Sequence, residues 1–158
     1  MFDAIFIFGA KYLIKFMQGF ALIWFLLQNN LKKKDILIFS VFCLPLVIIL
    51  AKFAGHLYYN PRPFVVGNFV PLIHHVANNG FPSHHTLLSF AIAGIVFVFS
   101  RGWGFAFLVL ALWVGFSRIY VGVHHVIDVL ASILISLGSV WLIYFFQKYL
   151  QNRKIRRN

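Results

Sequence analysis

Acidic side chains are almost missing from this chain: Asp3, Asp35 and Asp128 stand alone against fourteen Lys plus Arg, a formal net charge of +11. Cysteine is limited to Cys43, which lies inside an apolar run, so no intrachain disulfide can form and Cys43 is given no role. Charge of either sign is scarce at 11%, whereas 61% of the chain is hydrophobic, more apolar surface than one soluble core could bury. A membrane protein is the expected class. The basic excess raises nucleic-acid binding, but Lys32, Lys33, Lys34 and the tail Arg153, Lys154, Arg156 and Arg157 sit at the ends of apolar runs. There they set topology, so no nucleic-acid partner is expected. The amino terminus lacks a basic start followed by a small-residue cleavage site, and reads as a retained helix.

A bilayer crossing takes about 20 residues, and five apolar segments suit that role: residues 5–28, 36–57, 86–100, 103–117 and 126–147. Lys11 and Lys15 lie one helical turn apart in the first, so an interfacial position is its alternative. The third and fourth are short, are separated by Arg101-Gly102, and are expected to extend into their flanking motifs as a helical hairpin. Between residues 58 and 82 the chain turns to Pro, Gly, Asn and His, the chemistry of a loop outside the hydrocarbon. No internal repeat marks a second domain. The expectation is an all-α, polytopic transmembrane bundle of about five spans, one integral membrane domain over residues 1–158. The positive-inside rule then puts the Lys32 loop, the Arg101 turn and the tail on the cytoplasmic side. The 58–82 loop and the 117–125 turn share the opposite face.

Three motifs converge on that face. Asn60-Pro61-Arg62-Pro63-Phe64 comes first, then Pro82-Ser83-His84-His85, then Ser117-Arg118 followed by His124 and Asp128. His124 and Asp128 stand four residues apart at a helix start and can share a face. A carboxylate near the membrane requires a partner, and an imidazole N–H held by it leaves the other ring nitrogen free as nucleophile or base. Arg62 and Arg118 reaching one point would clamp a phosphoryl group. Ser83, His84 and the N–H groups after them open a helix suited to an anion, and His85 can protonate a leaving oxygen.

Over roughly residues 51–131 these motifs resemble the type 2 phosphatidic acid phosphatase superfamily, membrane relatives of the vanadium haloperoxidases. Leu57-Tyr58-Tyr59-Asn60-Pro61-Arg62-Pro63-Phe64 and the run from Gly115 to Gly122 resemble its undecaprenyl pyrophosphate phosphatase, or bacitracin-resistance, branch. The resemblance implies that His124 attacks phosphorus, Asp128 orients it and His85 protonates the leaving group. It implies that Arg62, Ser83 and Arg118 hold phosphate, and that water then hydrolyses the phosphohistidine. No metal or other cofactor is implied, because the arginines supply the positive charge. The substrate implied is a lipid pyrophosphate or phosphate, at the outer face of a bacterial cytoplasmic membrane, in recycling of the cell-wall lipid carrier.

Two positions depart from the family pattern. Where members usually carry a Lys seven residues before the Arg of the Arg-Pro pair, this chain has Gly55, and the nearest Lys is Lys52. Lys52 is a candidate phosphate contact, although a snorkelling Lys at a helix end is the simpler explanation. His84 stands where Gly or Asp is more usual, and can bind phosphate. Polar loop or interface roles are the default for His56, His74, His75 and His125. The histidine pairs suggest a metal site, but there is no Glu or usable Cys and two arginines would repel a cation. The tail attracts anionic lipid and implies no protein partner. Readings left open are a phosphatase of phosphatidylglycerophosphate, phosphatidate or lipid A, a non-enzymatic His/Asp proton relay or transporter, and an inactive assembly scaffold.

Overall fold

The computed structural model describes residues 2–155, with side chains to Arg153. Arg156 and Arg157 of the basic tail, and the side chain of Lys154, lie outside the described residues. The described chain is helical: α1 (Phe2–Lys11), α2 (Leu13–Leu26), α3 (Asn30–Leu57), α4 (Pro63–Val66), α5 (His84–Phe99), α6 (Arg101–Tyr120) and α7 (Val126–Ile155). By length and composition α3, α6 and α7 each suffice to cross a membrane, and α1 with α2, bent by 53° at their break, passes the same test only when the pair is taken together, as a broken span or a re-entrant loop.

The first apolar segment is therefore not the single helix expected over residues 5–28, and packing explains the bend. Before the break at Tyr12, α1 lies across the last turns of α6. Phe6 stacks on Tyr120 with ring centroids 4.0 Å apart, and a β-carbon at Gly9 would collide with Ser117. The Ala10 carbonyl, at the end of α1, accepts a hydrogen bond from Arg118 Nη1 at 3.2 Å. Lys11 and Lys15 remain exposed.

Helix α5 has 16 residues, a length of about 24 Å at 1.5 Å per residue, short of a hydrocarbon layer about 30 Å thick. It packs against α2, α3, α6 and α7, so its apolar sequence fills a protein core. Phe90, Ala93 and Val96 meet Met17, Trp24, Phe107 and Val114 on one side, while Leu87, Ala91 and Ile95 meet Phe39, Cys43 and Val47 on the other. Burial of that surface, at roughly 25 cal/mol per Å² in water, contributes little against lipid, where close fit and interhelical hydrogen bonds take over. Ser132 and Ser136 supply two such bonds, from α7 to the carbonyls of Ser83 and Leu87, at 3.0 and 2.7 Å.

The hairpin forms as expected, with one change. Its break is the extended residue Ser100, and Arg101-Gly102 begins α6 rather than separating the helices. The turn is tight because Gly104 lies against the backbone of Phe97, where a β-carbon would overlap it. At the other end of the bundle α6 runs to Tyr120, and Gly122, with φ +79°, reverses the chain toward α7 in a conformation that favours glycine. The C-terminus of α3 and the N-termini of α5 and α7 meet the C-terminus of α6 at this end.

Candidate active site

The short α6–α7 turn brings His124 back toward Arg118, whose carbonyl accepts from the N–H groups of Val123 and His124. His124 is 3% exposed and Asp128 is fully buried. His124 Nδ1 lies 3.3 Å from Asp128 Oδ2; a carboxylate only accepts, so Nδ1 carries the proton and Nε2 the lone pair. That lone pair faces Arg62 Nη1 at 3.2 Å. Burial, with the guanidinium groups of Arg118 and Arg62, pulls the His124 pKa down to about 4, against the opposing pull of Asp128. His124 is therefore a neutral imidazole near neutral pH.

Asp128 is held on three sides. Besides the His124 ring, its Oδ2 accepts from the His125 N–H at 2.9 Å, and its Oδ1 accepts from Asn60 Nδ2 at 2.7 Å. Each bond steadies the carboxylate in the plane that fixes the His124 tautomer.

Arg62 arrives from the long loop, and that loop is pinned by Asn79. Its Oδ1 accepts from the N–H groups of Asn60 and Phe81 at 3.0 and 2.9 Å. Its Nδ2 donates to the carbonyls of Gly55 and Tyr58 at 2.9 and 3.1 Å. Arg62 Nε donates to Asn78 Oδ1 at 2.9 Å, and Nη1 also donates to the Val123 carbonyl at 2.9 Å. The second arginine differs. Arg118 is 2% exposed, donates once to Ala10, and leaves Nε and Nη2 buried with no partner among the described residues. An unmet buried guanidinium donor is costly, and an anion is its natural complement.

These groups enclose a cavity of about 300 Å³ lined by Arg62, Arg118, His124, His85, His84, His75, Asn78, Asn79, Phe81 and Pro82. Five residues singled out in the sequence, Arg62, His84, His85, Arg118 and His124, thus share one wall, with Asp128 behind. Ser83 is not among the lining residues: it is fully buried, and its Oγ accepts from Thr86 Oγ1 at 3.1 Å. Lys52 is exposed and does not line the cavity either. His56 and His74 are exposed, and His125 bonds the Pro61 carbonyl through Nε2 at 3.0 Å, all in keeping with structural or surface roles.

Sequence reasoning missed Asn60, Asn78 and His75. Asn60 was visible inside the Asn-Pro-Arg-Pro run, but Asn78 and His75 reach the cavity only because the loop folds back, which no local spacing signals. Among the described residues no group of His, Cys and Asp has metal-binding geometry. A larger cleft, about 840 Å³, opens at the opposite end of the bundle beside Asp35, Lys148 and Arg153.

Comparison with known proteins extends this picture. The family model described as PAP2 superfamily matches residues 36–152. The bacitracin transport permease protein BcrC of Bacillus licheniformis is 35% identical over 147 residues, covering 92% of this chain and 71% of that one. The undecaprenyl-diphosphatase BcrC of Bacillus subtilis is 31% identical over 149 residues, covering 94% and 77%. Among solved structures, Aquifex aeolicus LpxE superposes with a TM-score of 0.71 at 24% identity, over 90% of this chain and 85% of that one. With its buried guanidinium cluster, its helical bundle and a match across most of its length, the chain belongs to the PAP2 superfamily and is a multi-pass membrane lipid phosphatase.

Proposed function

We propose that the chain, as one integral membrane domain over residues 1–158, hydrolyses undecaprenyl pyrophosphate to undecaprenyl phosphate and inorganic phosphate. The observation that carries a phosphoryl site is the pair of unpartnered N–H donors on buried Arg118, beside the lone pair of His124 Nε2. Two relatives named BcrC, one of them an undecaprenyl-diphosphatase, support the pyrophosphate. The exposed apolar side chains Val65, Val66, Phe69, Val70 and Leu72, between Arg62 and His75 in the chain, suit a long lipid tail arriving laterally.

In this mechanism His124 Nε2 attacks the terminal phosphorus, and Arg62 and Arg118 hold its oxygens as charge accumulates on them. The bond from phosphorus to the bridging oxygen breaks, and that oxygen leaves on the lipid monophosphate. An anionic substrate favours the charged imidazolium of His85, which hands over its proton. A phosphate ester is a good leaving group and asks little of that acid. Asp128 stabilises the positive charge left on the phosphorylated ring. His84, on the cavity wall, contributes a further phosphate contact. Water then cleaves the phosphorus–nitrogen bond. The arginines supply the charge that a metal supplies elsewhere.

The site end is assigned to the extracytoplasmic face of a bacterial cytoplasmic membrane, because Lys32, Lys33, Lys34, Arg101 and Lys148 lie toward the other end of the bundle. The test is phosphate release in detergent from undecaprenyl pyrophosphate, phosphatidate, phosphatidylglycerophosphate and lipid A. Undecaprenyl pyrophosphate is expected to give the highest kcat/KM, with EDTA without effect and vanadate inhibitory. His124→Ala is expected to abolish turnover, and Arg118→Ala to reduce it about 10²- to 10³-fold, the usual effect of deleting one transition-state donor. Full activity of the His124 variant would remove the mechanism; preference for another lipid would replace the substrate.

A further inference from the structure

The mechanism above leaves one cavity histidine without a part. His75 lines the same cavity as His124, and the two rings stand edge to face, with centroids 6.2 Å apart and planes at 76°. It belongs to neither the Pro-Ser-His-His nor the Ser-Arg motif. Its Nδ1 lies 3.3 Å from the carbonyl of Val76. A carbonyl oxygen only accepts, so the proton sits on Nδ1 and Nε2 carries a lone pair. A phosphate oxygen offers that nitrogen no hydrogen. Water does.

We propose that His75 is the general base of the second half-reaction, activating the water that hydrolyses phosphohistidine on His124. The inference rests on the phosphohistidine reading and gives its two half-reactions different proton carriers. Both rings line the cavity of about 300 Å³, which has room for a phosphoryl group and one water; that water must approach to roughly 3–3.5 Å of phosphorus in line with the breaking bond. His75 Nε2 takes a proton from that water as its oxygen bonds to phosphorus. The phosphorus–nitrogen bond breaks, its electron pair returns to His124 Nε2, and inorganic phosphate leaves. His75 is half-buried and passes its proton to solvent at the cavity mouth.

Electrostatics suits a base. Burial first, then the Arg62 guanidinium, with smaller contributions from Arg118 and His74, lower the His75 pKa from its ordinary value, while the Val76 carbonyl opposes them. The ring is therefore unprotonated near neutral pH. His84 and His125 fit the role less well: His84 is exposed at the start of α5, and His125 commits Nε2 to Pro61.

The test is rapid-quench kinetics with substrate labelled in the terminal phosphate, following both lipid monophosphate and acid-labile enzyme phosphate. In His75→Gln the phosphoenzyme is expected to form at the wild-type rate and accumulate. Lipid product appears in a burst, and steady-state phosphate release falls about 10²-fold, the lower range for loss of a general base. KM falls with kcat, because a later step has become limiting. Added imidazole should restore hydrolysis in His75→Gly, and a normal burst reports an intact fold. A His75→Gln enzyme that loses its phosphate at the wild-type rate would overturn the proposal and leave the phosphohistidine standing. Absence of acid-labile phosphate in both wild type and variant, at every quench time, would overturn both.

Discussion

The two ends of the bundle each carry a cavity, and the smaller one carries the candidate site. At the far end, about 840 Å³ opens beside Asp35, Lys148 and Arg153, side chains that are exposed. At the His124 end, about 300 Å³ is bounded by Arg62, Arg118 and His124, each at most 5% exposed. An exposed charge is satisfied by water and screened by salt, whereas a desolvated one must be answered by a partner. Desolvated charge with an unanswered donor marks a site where a ligand completes the structure, and volume alone does not.

The sharpest way to break this comparison uses the two carboxylates. Asp128→Asn keeps the shape of the buried side chain but removes the charge that fixes the His124 tautomer. We expect kcat to fall on the order of 10³-fold, as when the orienting acid of a His-based dyad is neutralised. Asp35→Asn, at the other end, is expected to stay within about twofold, since exposed charges contribute little. Assay of both variants on one substrate checks the pair, and equal losses would erase the distinction between the ends. Removing Asn60, which holds Asp128 Oδ1 at 2.7 Å, should cost less. Asn60→Ala is expected to lower kcat about tenfold, one charge-assisted hydrogen bond.

A cation at each end gives the next contrast. Arg118→Lys retains the charge but loses the planar fork and the bond to Ala10, so kcat/KM is expected to fall about 10²-fold, since Lys is no substitute at a bidentate site. Lys148→Arg is expected to leave kcat/KM unchanged. Equal tolerance at both positions would mean that point charge, not donor geometry, holds phosphate.

How much of this was legible in the sequence depends on the distance between interacting residues. Arg118, His124 and Asp128 fall within one helix end, one turn and the next helix start, so their spacing already predicted a shared face. The five apolar segments were equally plain, because burial and lipid both select long apolar runs. The bend at Tyr12 was not, since it answers contacts with Ser117, Tyr120 and Arg118 more than a hundred residues away. Ser83 was read as a cavity residue from its motif, but its side chain faces Thr86. His75 and Asn78 looked like loop filler, and the Asn79 bonds that fold that loop back join positions up to 24 residues apart.

Acid sensitivity separates the ends by pH. Because the His124 pKa is lowered from 6.5 to about 4, the folded protein resists a proton that the unfolded chain accepts. The resulting stability is fully present above about pH 6.5 and is lost as pH falls through about 4. Activity follows the same sign, since a protonated Nε2 has no lone pair. An acid limb of kcat/KM set by His124 is expected near pH 4, against about 6.5 for an unperturbed histidine. A rate profile in mild detergent, with thermal stability over the same range, checks both. A limb at pH 6.5 would mean that His124 is not desolvated in the working enzyme.

The smallest expected effect concerns Lys52, a basic residue near the site end that does not line the cavity. Lys52 occupies the last turns of α3, where its exposed side chain reaches toward the headgroups as a snorkelling cation. Phosphate bound as proposed between Arg62 and Arg118 would already meet two guanidinium groups, and a third cation outside the cavity would add only a screened attraction. Lys52→Ala is expected to change kcat by less than about twofold at 0.15 M salt, with a modest rise in KM at low salt that disappears as salt increases. Titration of KM against ionic strength for wild type and variant distinguishes this from a direct phosphate contact. A direct contact would lower kcat at every salt concentration and would draw Lys52 into the same desolvated group as Arg118.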